Sequence, residues 1–138
     1  SDLMEKLSEN NDEKRTALYE KAAFYERMID SRGLEPWIEA ADRYTDMLDR
    51  EKEKAELQLK KAGLLAVYGR KKSAEEVHRA VIRQYSGWPE GYIAYGFYLA
   101  KAGKRDMAQD MYRRAKGLGA GEGTELQKLG AVLGEGND

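Results

Sequence analysis

Cysteine is absent from this 138-residue chain, histidine occurs once, and proline and phenylalanine occur twice each. Without cysteine there is no disulfide, no thiolate metal site and no cysteine nucleophile. The single imidazole, His78, leaves most metal sites and histidine-based triads incomplete. No apolar run approaches the roughly 20 residues of a membrane span, so none is expected. Lys and Arg number 24 against 25 Asp and Glu, giving a formal net charge of −1. So balanced a chain gives no electrostatic reason to expect a nucleic-acid partner. No secretory signal is read at Ser1-Asp2-Leu3.

What remains is a charge-rich sequence with a mean hydropathy of −0.80, which reads as soluble. Its length suits one domain with a real core. Glu, Lys, Arg, Ala and Leu dominate and favour helix, so an all-α fold is expected.

A gap-free period of 34 runs through the chain: Ala40, Ala74 and Ala108 mark it. Tyr44, His78 and Tyr112 follow in phase, then Met47, Val81 and Ala115. Upstream, Ala62 pairs with Gly96, Leu65 with Leu99, and Gly69 with Gly103. Small residues recur where two helices would cross closely, and larger ones where an apolar face needs bulk. The clearest unit runs from Pro89. It reads Tyr92-x₂-Tyr95-Gly96-x₂-Leu99, a turn at Gly103, Ala108-x₃-Tyr112, then Ala115.

This pattern resembles the tetratricopeptide repeat, a helix–turn–helix of about 34 residues. Ala120 stands where the repeat-ending proline would fall. The middle unit keeps Ala62, Leu65, Gly69 and Ala74, but has Gln58 for the first aromatic and His78 for the late one. Ser73-Ala74-Glu75-Glu76 reads as a capping box for its second helix. The first unit is the most divergent, with Phe24 and Met28 in phase and a turn over residues 31–36.

The resemblance implies a single domain: a right-handed superhelical array of three repeats plus a capping helix. The expected segments are an N-terminal stretch 1–20, repeats 21–54, 55–88 and 89–122, a capping helix 123–134 and a mobile tail 135–138. Asn11 or Asp12 is expected to cap the first long helix, with Leu3, Met4 and Leu7 as a short apolar tether. Between Pro36 and Gly63 there is neither glycine nor proline. The repeat phase predicts a turn near Glu51 to Lys54; one long helix is the alternative. Thr124-Glu125-Leu126-Gln127 reads as a second capping box, opening a helix with Leu126, Leu129, Val132 and Leu133 on its apolar stripe.

In this family the first helix of each repeat lines a concave groove that holds peptides or partner helices. Position by position, the resemblance places Tyr25 and Ile29, then Leu59, Gly63 and Val67, then Ile93, Phe97 and Lys101 in that groove. The implied function is non-catalytic: an adaptor, assembly factor or chaperone that binds an apolar peptide or amphipathic helix of another protein. The alternative is a structural module that self-associates by end-to-end stacking, a homo-oligomer. Coverage of the groove residues by the N-terminal segment or the capping helix is the competing structural reading. Some family members clamp acidic chaperone tails with basic side chains. Here the matching positions hold Tyr25, Ile29, Lys60, Glu90 and Ala94, and only Lys60 is basic, which argues against that activity.

No enzyme chemistry, metal or cofactor is expected. Carboxylates are spread over solvent faces at helical spacing, so no pair stands out. His78 falls where the family packs an aromatic, so a packing role is expected, with pH sensing the alternative. Arg70-Lys71-Lys72 reads as a solvated turn, with a patch for acidic partners as the alternative. The glycine-rich stretch 117–123 follows no expected strand and reads as a linker. Residues 1–50 carry −5 and residues 51–138 carry +4.

Overall fold

The computed structural model describes residues 2–120 and 123–134. Among these there are eight α-helices and no strand, so the fold is all-α. The chain divides into two compact units, Ser1–Arg70 and Lys71–Asp138.

The first unit holds α1 (Asp2–Arg27), α2 (Ile29–Arg32), α3 (Glu35–Met47) and α4 (Glu51–Val67). Pro36 sits in the first turn of α3, where its missing N–H leaves no partner unsatisfied. Trp37, Ala40 and Ala41, at helical spacing, are all at most 2% exposed, and α3 packs its buried face along α1. The helices α3 and α4 run antiparallel. Lys61 Nζ pairs with Asp42 Oδ2 at 3.1 Å and Gln58 Nε2 donates to Thr45 Oγ1 at 3.2 Å.

The alternative of one long helix through residues 36–63 does not form. The chain breaks at Leu48-Asp49-Arg50, just ahead of the expected Glu51 to Lys54. Leu48 and Arg50 are extended, with ψ of 143° and 126°. The extension buries Leu48, and Arg15 of α1 holds Asp49 at 3.0 Å. Tertiary contacts, not a glycine or proline, end α3.

At the start of the chain the expectation fails. The first helix begins at Asp2 and runs through Asn11 and Asp12, which cap nothing. No proline or glycine interrupts it, and Asp12 pairs with Arg15 at 3.6 Å one turn on. Leu3 and Met4 are each 68% exposed, so neither is buried as a tether would be; the Leu7 side chain lies outside the described residues.

The second unit holds α5 (Lys71–Gln84), α6 (Pro89–Lys101), α7 (Arg105–Ala115) and α8 (Thr124–Leu133). A wide π-type turn over Lys116–Ala120 replaces the start of the expected linker; residues 121 and 122 lie outside the described residues, as do 135–138 of the expected tail. The core joins Tyr95, Leu99, Ala108, Met111, Tyr112 and Ala115 with Leu126, Leu129 and Leu133 of α8. The helix α8 packs on both α6 and α7.

Neither expected capping box forms. Ser73 is the third residue of α5, which already starts at Lys71 behind the preceding turn. Thr124 is the first helical residue of α8, and Gly123 before it has no side chain to cap with.

The two turns at Gly69 and Gly103 share one geometry. Their φ values are +83° and +78°, a region open to glycine and strained for other residues. In the first, Gly69 N–H bonds Ala66 O at 3.1 Å and Arg70 N–H bonds Leu65 O at 2.8 Å. In the second, Gly103 N–H bonds Ala100 O at 3.1 Å and Lys104 N–H bonds Leu99 O at 2.8 Å. This is the Schellman arrangement, which satisfies the last carbonyls of each helix. The period of the sequence is thus repeated in the backbone of these two turns.

Candidate functional site

The helix α4 has a buried side and, next to it, an open one. Ala55, Ala62 and Leu65 are buried, at 3% exposure or less. Continuing from Ala55, four-residue steps place Leu59, Gly63 and Val67 close to one line. Leu59 is half-buried, Gly63 is exposed, and Val67 is 77% exposed. No atom lies within 4 Å of the place a Gly63 Cβ would occupy, so the stripe is open at its centre. Two polar contacts flank it. Lys60 pairs with Glu26 of α1 at 2.6 Å, and Tyr68 donates its phenol to Asp30 Oδ1 at 2.9 Å. That hydrogen bond, with some desolvation and the Asp30 charge, raises the Tyr68 pKa above its ordinary value.

Tyr25 lies elsewhere in the first unit. It lines an open cleft of about 280 Å³ with Lys21, Pro36, Ala40 and the Glu39–Arg43 ion pair, closed at 3.0 Å. The Lys21 ammonium stands 5.9 Å from the Tyr25 ring centroid, within cation–π range. None of Leu59, Gly63 and Val67 lines this cleft. Ile29, only 4% exposed, belongs to the core.

In the second unit, Ile93 is 7% exposed and is part of the core, and Phe97 is partly buried against the same core. Lys101 is exposed. Of the residues carried over from the repeat pattern, the accessible ones are therefore Gly63, Val67 and Lys101, with Tyr25, Leu59 and Phe97 partly so.

His78 packs between the α6 tyrosines. Its ring stacks on Tyr95 at 5.4 Å and 13°, and stands 5.2 Å from Tyr98. It is 5% exposed and its Nδ1 has no hydrogen-bond partner. Burial pushes its pKa down to about 4, against the pull of the Glu75 charge. The ring is therefore neutral at pH 7 and fills an aromatic position.

A polar cluster beside it had only one sequence signal, the four-residue spacing of Glu75 and Arg79. Glu75 accepts from Tyr95 Oη at 3.1 Å and Arg79 Nη2 at 2.9 Å, with Lys104 Nζ 3.5 Å away. Partial burial raises the Glu75 pKa, but the Tyr95 hydrogen bond and the two cations outweigh it and leave the carboxyl below its ordinary value. The cluster ties α5 to α6 and to the start of α7.

No family model, curated protein or solved structure matches the chain. Among the described residues no three His, Asp or Glu side chains are grouped to hold a metal ion, and no helix is long and apolar enough to cross a membrane.

Proposed function

We propose that this chain is a non-catalytic protein interaction module of tetratricopeptide-like architecture, three stacked repeats closed by α8. It binds an apolar peptide segment or one face of an amphipathic helix from another protein. The architecture is supported by the equivalent turns at Gly69 and Gly103 and by Ala74 and Ala108, both 0% exposed in phase with each other. The binding reading rests on one observation: the α4 stripe, where open space over Gly63 separates Leu59 from a Val67 left 77% exposed. A partner's apolar side chain over Gly63 would touch both. Burying one such side chain contributes about 1.5–3 kcal/mol, and ordering costs subtract from it. Two or three anchors therefore give micromolar affinity at best.

Selection of displayed peptides on the immobilised chain tests this. Sequences with apolar residues at three- and four-residue spacing should enrich, and Gly63→Glu should abolish their enrichment by placing a charge in the contact. Enrichment that Gly63→Glu leaves unchanged, or no enrichment at all, would contradict the proposal.

A further inference from the structure

The first half of α1 is an acidic helix whose described side chains, from Asp2 to Lys14, are all exposed. Residues 2–13 carry five acidic and one basic side chain. Glu5, Glu9 and Glu13 succeed each other at four-residue spacing, where like charges repel. None of the three forms an ion pair with another described residue, whereas Asp12 is held by Arg15. Leu3, 68% exposed, precedes this ridge on the helix. A helical segment of this length, self-repelling and unpacked, is marginal in water. A basic surface with apolar side chains of its own would stabilise it.

The second unit presents such a surface. Residues 104–118 carry five basic and two acidic side chains, and all five basic ones are exposed. Met107 is 40% exposed and Leu118 42%. Met107 and Arg114, seven residues apart on α7, share a face with Asp110, which pairs with Arg114 at 3.2 Å, and the net charge of the segment stays basic.

We infer that the first half of α1 in one molecule docks on the α7 and Lys116–Ala120 surface of a second molecule of the same chain. The contact uses no residue of the α4 stripe, so it goes beyond the proposed peptide binding. It joins two different surfaces, so it is heterologous and propagates into rings or linear assemblies as concentration rises. Its charge component is screened by salt.

Sedimentation velocity of the full chain tests this. The average mass should rise with protein concentration at about 0.05 M salt and fall back towards monomer at about 1 M. Glu5→Lys with Glu9→Lys should abolish assembly, and Arg114→Glu with Lys116→Glu should do the same. Mixing the two charge-reversed chains should restore association, as assemblies in which the two alternate, because each complements the other at both contacts. Leu3→Glu, outside the ridge, should also abolish assembly. These side chains are exposed, and circular dichroism checks that each variant keeps its helix content. A monomer at every concentration would overturn the inference. So would assembly that survives either reversal, or reversed chains that fail to pair when mixed.

Discussion

Gly96 on α6 packs directly against Leu129 on α8: a Cβ on Gly96 would stand 2.6 Å from Leu129 Cδ2 and 3.5 Å from Met111 Cβ. Leu129 is 0% exposed and has little room to withdraw. Alanine at 96 gains about 1 kcal/mol of helix propensity, but overpacking of about 1–3 kcal/mol outweighs it. Gly96→Ala is therefore expected to lower stability. Leu129→Ala alone should cost about 2–5 kcal/mol, and in that background Gly96→Ala should become neutral or stabilising. Urea denaturation of the four chains checks this coupling. A Gly96→Ala penalty that Leu129→Ala leaves unchanged would contradict the close approach.

Ala108 is 0% exposed at the crossing of α7 with α6. Ala108→Leu is expected to cost about 1–3 kcal/mol through overpacking. Ala108→Ser, nearly the same size, should cost less than the leucine. The denaturation midpoints order these variants, and an unshifted midpoint for Ala108→Leu would contradict the small-residue crossing.

Stability should fall with acid in a window set by His78. Its pKa is about 4 in the fold against 6.5 in an unfolded chain. Between these values the unfolded chain binds more protons, so stability rises with pH there. The contribution is complete above 6.5 and is lost as pH falls toward about 4. At full extent it is on the order of 3 kcal/mol. Glu75, whose pKa is lowered in the fold, acts in the same direction at more acid pH, once its carboxylate is protonated. His78→Phe keeps an aromatic beside Tyr95 and should flatten the slope in the His78 window. Urea midpoints measured across that window in both chains check this; equal slopes would contradict it.

The helix α8 covers α6 and α7 with Leu126, Leu129 and Leu133, each at most 2% exposed. Each such burial is worth about 1.5–3 kcal/mol, so together they rival the whole stability of a small domain. Deleting residues 124–138 is expected to unfold or aggregate the second unit. Unchanged melting and solubility would count against the capping role.

How much of this was legible in the sequence differs from element to element. Ala74, Ala108, Gly69 and Gly103 could be read because each site tolerates few residue types, so a period shows in identity alone. The break at Leu48 could not. It depends on burying Leu48 and on Arg15 reaching Asp49, two contacts across distant sequence. The false capping boxes at Ser73 and Thr124 fitted a local pattern, but the helices start where the preceding turns release them. Ile93 looked available because α6 is apolar nearly all round, which hides its facing direction from any periodicity. The α4 positions are different: polar residues mark its outer side, and the spacing of Leu59, Gly63 and Val67 was enough to place them along one side.

The most direct measurement is amide chemical-shift mapping with a peptide selected for apolar residues at three- and four-residue spacing. Saturable shifts should concentrate over residues 56–67, around an exposed Gly63 and Val67, and should be lost in Gly63→Glu. Shifts that cluster elsewhere, or that persist in Gly63→Glu, would contradict the α4 stripe as the binding surface.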